Sequence, residues 1–332
     1  MYALILRRLL CLVPLLLAIS FLAFCLTAAS PSDPAEVALR VNDITPTPEV
    51  IEKTRQELGL DRPFFERYLA WLGKALQGDL GTSFVTHRPV ARELARALPS
   101  TLALACVATL VVLGVGIPCA IVCFVREGRL ADILVRALIF LGAATPTFWA
   151  GLLFIWLFAV HLNLLPTGGL EGASSFILPA CTLALPSLAT YTRLLRAGML
   201  ATGQQDFVLY ARAQGRSPLA ILLQIVRNSL QSTLAALGMT LPKLLAGSFV
   251  VECIFAWPGL GRLCVTAIFN RDLPVIQAYV VLMGLFFVLF NLFMEVAGAL
   301  VDPRLSGRGS AGRKGKGRPD KNRPDTSMED RA

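Results

Sequence analysis

The stretch DFVLYARAQGRSPLAILLQIVRN, residues 206–228, lies between long apolar runs, yet it carries three arginines, a glycine and a Ser-Pro pair. Asp206 suits the N-cap of a first helix, where a carboxylate is favourable, and Gly215 suits the left-handed residue that closes it. Ser217 then suits the N-cap of a second helix, with Pro218 in its first position. The pattern predicts a helix, a glycine turn and a second helix.

Two interpretations of this loop follow from its apolar residues. The second helix carries an apolar stripe at the spacing i, i+3, i+4 and i+7: Leu219, Leu222, Leu223 and Val226. A helix that rests on lipid would explain the stripe and the arginines. Docking of a partner protein would also explain the capped turn and the small residues Ala211 and Ala213, which leave room for an approach. The spacing favours docking.

The composition is that of a membrane protein. Of the 332 residues, 55% are hydrophobic and only 16% are charged, whereas soluble domains carry about 25% charged residues. The net charge is +9, but the basic residues flank apolar runs and do not line one soluble face. We therefore expect contact with membrane lipid and no nucleic-acid partner.

Six stretches are apolar and long enough to cross a membrane, and they should be helical because hydrocarbon offers the backbone no hydrogen bonds. They are residues 9–29, 99–125, 133–160, 176–196, 231–256 and 277–301. The first is longer than the apolar region of a cleaved signal peptide, so we expect an uncleaved span. Prolines 118, 146, 186 and 242 predict kinks or breaks.

Lysine and arginine in the short loops indicate the orientation. A pair of arginines precedes the first span, another pair lies between the second and third, and five fall between 193 and 227. The loop 161–175 has none. Both termini are therefore predicted to be cytoplasmic, and the loop at 206–228 to face the cytosol.

We divide the chain into three regions. Residues 1–98 hold the first span and an external region, in which TPTPEVIEKTRQELGL predicts a short amphipathic helix closed by Gly59. Residues 99–304 hold a five-helix transmembrane core, including the loop 197–230. Residues 305–332 form a basic tail with few apolar side chains to bury, so disorder is expected.

The loop resembles the signature of permease subunits in binding-protein-dependent ABC importers, through Asp206-Phe-Val, Ala211-Arg212-Ala213, Gly215 and Arg227-Asn228. In that family the loop forms a coupling helix that sits in a groove of the ATPase subunit. The resemblance implies ATPase-coupling roles for Asp206, Tyr210, Ala211, Arg212, Ala213 and Gly215. It also implies two ATP-binding subunits, a second related permease and an external solute-binding protein as partners.

The resemblance extends over residues 1–304 through an ordered set of short motifs. They are LGLDRP (58–63), GDLGTSF (78–84), RPV (88–90), TPTFW (145–149), ECIFAWPGLGR (252–262), RDLPVIQ (271–277) and DPR (302–304). Together they are similar to the peptide/nickel branch, and TPTPE, FAWPGLGR and AIFNRDLPVIQ resemble its nickel-transport permease in particular. Ser232 stands where the family usually has proline.

The resemblance implies an all-α type I ABC importer permease with six transmembrane helices in the bacterial inner membrane. It would move nickel, as an ion or a chelate, without catalytic residues or a cofactor of its own; a di- or oligopeptide permease is the alternative. A secondary transporter would show repeated halves, and a membrane enzyme a catalytic motif such as HExxH or GxSxG. The sequence favours neither.

Four of the charged residues within the predicted spans stand out, and each should face a cavity or a partner because burial in lipid costs about 2.5–3.5 kcal/mol. Arg136 should reach the cytosol, and Glu295 should pair with a neighbouring helix. Lys243 and Glu252 are candidates for the translocation pathway, although Lys243 suits pairing across the bundle equally well. For Glu252 a helix-capping role is favoured.

The outer half of the predicted bundle also holds residue types that bind transition metals: Glu252, Cys253, His161 and Met239. Nothing in the sequence shows that they converge, so no metal site is predicted there. The motif WPGLG (257–261) predicts a tight turn in which the glycines take positive φ angles.

Overall fold

The structure of the chain is a computed structural model that describes residues 2–29, 33–42, 44–238 and 240–301. Side chains are described over the same ranges, apart from 2–11, 231–232, 234–243 and 294–301. The chain divides into two units, Met1–Met294 and Glu295–Ala332. The tail 305–332, for which disorder is expected, and the side chains of Lys243 and Glu295 lie outside the described part.

The regular elements of the described residues are helices. In chain order they are α1 (Tyr2–Ala28), α2 (Pro34–Val41), α3 (Pro48–Glu57), α4 (Phe64–Leu76), α5 (Val90–Val125), α6 (Leu130–Ala144), α7 (Thr147–Phe154), α8 (Ile177–Gly203), α9 (Asp206–Ala213), α10 (Pro218–Gly238), α11 (Thr240–Ile254), α12 (Leu260–Phe269) and α13 (Leu273–Val301).

Three described helical segments are long and apolar enough to cross a membrane: Val90–Val125, Ala173–Gly203 and Leu273–Phe293. The bent pair α6 and α7 adds a fourth if it is one span. The expected first span contains the shorter apolar helix Leu12–Ala28, and the expected fifth falls on α10 and α11, on either side of a residue outside the described part. The count of six stays a prediction, and the second span begins at Val90 rather than at residue 99.

Pro146 breaks the third predicted span. α6 ends at Ala144, Thr145 and Pro146 are extended with ψ angles of 128° and 133°, and α7 leaves at a bend of 105°. Proline disfavours helical geometry in the residue before it, so the break falls where the sequence predicts it. Pro118 and Pro186, in contrast, lie inside the continuous helices α5 and α8.

Buried apolar side chains form three clusters that follow one another along α5. The first joins α5 to α12 and α13 around Val90 and Leu260. The second joins α5, α8 and α11 around Leu104 and Phe255, and the third joins α5, α8, α9 and α10 around Leu195. We refer below to the two ends of this bundle as the α12 end and the α9 end.

The region between α1 and α5 is folded against the α12 end. Phe21 and Phe24 of α1 contact the rings of Phe64, Tyr68 and other aromatic residues of α4, with ring centroids 5.2–6.4 Å apart. The Tyr68 hydroxyl also lies 2.9 Å from that of Ser20. The expected helix α3 is confirmed.

The end of α3 has the geometry that its sequence predicts. Gly59 has a φ of +65°, and the N–H of Leu60 donates to the carbonyl of Arg55 at 2.8 Å. Arg55 also binds Asp33 at 2.6 Å, which ties α3 to the start of α2. This hydrogen bond raises the pKa of Arg55 above its usual value.

The loop 78–89 is fixed by a carboxylate from the far end of the sequence. Asp272 is buried, and it accepts hydrogen bonds from the Ser83 hydroxyl and from the backbone N–H of Phe84, the latter at 3.1 Å. The side-chain amide of Asn42 donates to the carbonyl of Phe84 at 3.3 Å. Two motifs that are distant in sequence, GDLGTSF and RDLPVIQ, therefore meet at the α12 end.

Candidate functional site

The loop at 206–228 begins one residue earlier than the sequence indicates. Gln205 takes the extended N-cap conformation, with φ −80° and ψ 152°, and Asp206 is the first helical residue of α9. The prediction that Asp206 is the cap is therefore wrong. Its carboxylate still lies in the first turn, where the helix dipole stabilises a negative charge.

The turn between α9 and α10 is the predicted one. Gly215 has a φ of +69°, its N–H donates to Arg212 at 3.0 Å, and the N–H of Arg216 donates to Ala211 at 3.1 Å. These are the two hydrogen bonds of a Schellman motif. Ser217 accepts a hydrogen bond from the N–H of Ala220 at 3.3 Å and so caps α10. The expected helix, glycine turn and helix are confirmed.

The inner face of this loop packs on the chain's own core. Val208, Ala211, Ile221 and Ile225 are buried in the cluster at the α9 end. Ala211 therefore supports α9 from beneath and leaves no room for a partner, contrary to the sequence-based interpretation. The predicted stripe is also divided, because Val226 is buried whereas Leu219 and Leu223 face outward.

The outer face of the loop is apolar and flanked by arginines. Four large side chains on it are 60–69% exposed, and Arg212 and Arg216 are exposed beside them. We call this surface the coupling face; its apolar residues are Leu209, Tyr210, Leu219 and Leu223. Ala213 and Gly215 lie exposed at the turn and add no bulk. Such a face can bind the groove of a partner protein.

Glu252 lies at the α12 end and is fully buried. One carboxylate oxygen accepts from the hydroxyls of Thr101 and Ser248, at 2.8 and 3.0 Å. The other accepts from the backbone N–H groups of Gly261 and Arg262, at 2.7 and 3.1 Å. The N-terminal N–H groups of a helix have no partner within it, so Glu252 caps α12.

The WPGLG turn needs its glycines for space and not for their φ angles. The positive φ of this turn belongs to Ala256, at 49°, whereas Gly259 has a φ of −110°. A Cβ on Gly259 would lie 2.5 Å from the Glu252 carboxyl group, and one on Gly261 would lie 2.4 Å from the Cα of Phe249. The prediction of positive φ at the glycines is wrong.

The residues considered as metal ligands do not form a described cluster. Glu252 is buried, Cys253 is exposed, and His161 is exposed and stacks on Trp156 at 5.6 Å. Met239 lies outside the described residues. Among the residues that the structure describes, no group of three His, Cys, Asp or Glu side chains could hold a metal ion.

The sequence analysis missed a buried ion pair near the α9 end. Asp132 is fully buried, and its carboxylate lies 2.9 Å from Arg136 and 3.2 Å from Arg196 of α8. Arg136 pairs with Asp132 at the spacing i, i+4 and is half exposed, and its reach to the cytosol stays a prediction. The i, i+4 spacing of Asp132 and Arg136 was the signal in the sequence that could have predicted this ion pair.

The sequence analysis also missed a pocket of about 300 Å³ between α7, α8 and α11. Its lining combines three hydroxyl groups, from Thr147, Ser187 and Thr190, with apolar side chains that include Leu183, Pro186 and Leu244. Its volume lies at the lower end of the range found for small-molecule sites. The only sequence signal was polar residues one turn apart beside the proline of α8.

A helical membrane bundle with this pocket and an exposed coupling face has the features of a transport protein. Residues 93–307 match the family described as binding-protein-dependent transport system inner membrane component, and residues 1–105 match the N-terminal region described for such components. The chain belongs to this family of bacterial membrane permeases.

The relatives include permeases named for different cargoes. The chain is 36% identical over 307 residues to the metal-staphylopine import system permease protein of Staphylococcus aureus (strain NCTC 8325), covering 92% of this chain and 98% of the relative. It is 36% identical over 321 residues to the oligopeptide transport system permease protein of Bacillus subtilis (strain 168), covering 92% and 99%. Identity to the glutathione transport system permease protein of Escherichia coli O6:H1 (strain CFT073) is 36% over 302 residues, covering 91% and 98%.

Solved structures confirm the expected type I ABC importer permease fold. The MetNI methionine ABC transporter in inward-facing conformations matches with a TM-score of 0.53 and 20% identity, over 63% of this chain and 96% of that one. The relatives are transport permease subunits, so this chain is a component of a transport system.

Proposed function

We propose that this chain is one of two related permease subunits in an importer that also contains two ATP-binding subunits and an external solute-binding protein. The ATP-binding subunits hydrolyse ATP, and the coupling face takes up the resulting movement. Its exposed apolar side chains, flanking arginines and capped glycine turn support this role. The loop charges support an orientation with both termini and the coupling face in the cytosol.

We propose nickel as the cargo, carried as a chelate with an organic ligand. The observation that favours a chelate over a bare ion is the pocket between α7, α8 and α11. At about 300 Å³ it suits a small molecule, and its described lining offers hydroxyl and apolar groups in place of the nitrogen and sulfur ligands that hold nickel tightly. The nickel itself is supported by the motifs FAWPGLGR and AIFNRDLPVIQ, and by a relative named for metal import.

A di- or oligopeptide is the second candidate cargo. It is favoured by relatives of equal identity that are named for oligopeptide and glutathione transport. The pocket suits a short peptide as well as a chelate, because hydroxyl groups bind peptide N–H and C=O groups.

Deletion of the gene tests both cargoes. The deletion strain should take up less radioactive nickel under nickel limitation, and a plasmid copy of the gene should restore uptake. When nickel is in excess, uptake by the deletion strain should be normal. Unchanged nickel uptake with lost growth on peptides would show that the cargo is a peptide and not nickel. Unchanged nickel uptake with unchanged peptide growth would refute both cargo assignments.

A further inference from the structure

Among the residues whose side chains are described, Arg193 of α8 has no partner that accounts for its charge. Arg193 lies on α8, within a segment long and apolar enough to cross a membrane, and its side chain is exposed. It makes no hydrogen bond or ion pair with the residues whose side chains are described. Arg193 is three residues from the cytosolic end of the predicted span 176–196, so its guanidinium group reaches water at that end.

The neighbouring arginine provides a direct comparison. Arg196 lies one turn further along α8 and is paired with Asp132 at 3.2 Å and with Glu127 at 3.5 Å. Both carboxylates belong to the connection between α5 and α6. The charge of Arg196 is therefore neutralised within the chain, whereas that of Arg193 is available to a molecule outside it.

The position of Arg193 relates it to the pocket. Pro186, Thr190 and Arg193 are spaced i, i+4 and i+7, so they lie on one face of α8, and all three are exposed. Pro186 and Thr190 line the pocket. Arg193 follows Thr190 by three residues, about 4.5 Å along the helix axis, toward the α9 end. A molecule that leaves the pocket toward that end passes Arg193.

We propose that Arg193 binds a carboxylate of the cargo as it moves from the pocket toward the cytosol. The guanidinium group binds a carboxylate through two parallel hydrogen bonds, and Thr147, Ser187 and Thr190 bind the polar groups that precede it. This inference rests on the proposed function and narrows its cargo to carboxylate-bearing molecules. Nickel held by an amino-acid ligand and a peptide with a free C-terminus share that chemistry.

Transport by the complete importer in lipid vesicles tests this assignment. Wild type, Arg193→Gln and Arg193→Lys are compared with Arg126→Gln, which removes an exposed arginine at the α9 end but off the pocket face of α8. The cargoes form two matched pairs: nickel–histidine with nickel–histidinamide, and trialanine with trialanine amide. Each rate is divided by the wild-type rate for the same cargo, so that the preference of the solute-binding protein cancels.

We expect Arg193→Gln to slow each carboxylate-bearing cargo that the wild type transports by tenfold or more and to leave the rate ratio of any amide cargo near one. Arg193→Lys should retain an intermediate rate, because it keeps the charge but not the paired hydrogen bonds. Arg126→Gln should transport as wild type. Which pair is affected identifies the chelate or the peptide as the source of the carboxylate.

Three results would overturn the assignment. Equal slowing of acid and amide cargoes, or no slowing at all, would show that Arg193 does not recognise a carboxylate. Loss of ATP hydrolysis stimulated by the solute-binding protein would place Arg193 at a subunit contact. If wild-type vesicles transport neither pair, the proposed function fails together with this inference, whereas normal wild-type transport confines the failure to Arg193.

Discussion

At the scale of single residues, the hydrogen bonds of Glu252 distinguish a structural role from a role in transport. Its carboxylate accepts four hydrogen bonds, two of them from backbone N–H groups that have no other acceptor in α12. A buried donor that loses its acceptor costs about 1–3 kcal/mol. The position of Glu252 in the structure favours capping over a place in the pathway.

Replacement of Glu252 by Gln should therefore lower stability. The amide keeps the volume but loses the charge, and one of its two ends can no longer accept a hydrogen bond. We expect a decrease of about 1–3 kcal/mol in the free energy of unfolding, measured as a lower unfolding midpoint of the purified protein in detergent. Glu171→Gln, at an exposed position, should leave the midpoint unchanged.

If Glu252→Gln keeps the wild-type unfolding midpoint but loses transport, Glu252 acts in the translocation pathway and not as a cap. Lys243, the other pathway candidate, stays a prediction, since its side chain lies outside the described residues.

At the scale of helices, the coupling loop can be tested through its glycine. Gly215 has a φ of +69° and no atom within 4 Å of an added Cβ, so valine there would be strained by its backbone and not by a clash. The strain is about 1–2 kcal/mol. Gly128, in the turn between α5 and α6, has the same φ and the same free space.

We expect Gly215→Val and Gly128→Val to be inserted in similar amounts and to lose similar stability. Only Gly215→Val should abolish transport and the ATP hydrolysis that the solute-binding protein stimulates, because only it adds bulk to the coupling face. Membrane content, uptake and ATP hydrolysis are measured for both. If Gly128→Val is equally inactive, backbone strain and not docking explains the loss.

The sequence predicts the coupling loop well where its structure is local. Gly215, Ser217 and Pro218 determine a turn through caps that lie within a few residues of one another. The faces of α10 were harder to predict, because Ile221 and Ile225 are buried only once α8 is in place. The same holds for Glu252, whose partner Thr101 is 151 residues away. Contacts at such separations leave no periodic signal in one sequence.

At the scale of the whole molecule, the orientation can be tested by labelling from outside. In a cysteine-free variant that still transports, a single cysteine at Glu171 or at Asp79 should react with a reagent that cannot cross the membrane. A cysteine at Gln204, outside the coupling face, should react only after the cells are opened. All three positions are exposed, so reactivity reports the side of the membrane. Protection of Asp79 in intact spheroplasts would refute the predicted orientation.

The hydrogen bonds of the α12 end also impose an order on the making of this protein. Ser83 and Asp272 are 189 residues apart, and the Trp257 indole binds the Ser100 carbonyl across 157 residues. At a synthesis rate of about 5–20 residues per second, Ser83 waits about 10–40 s for its carboxylate to emerge from the ribosome. A chain that stalls before Asp272 thus keeps the loop 78–89 without its acceptor, and such exposed loops are preferred sites of proteolysis.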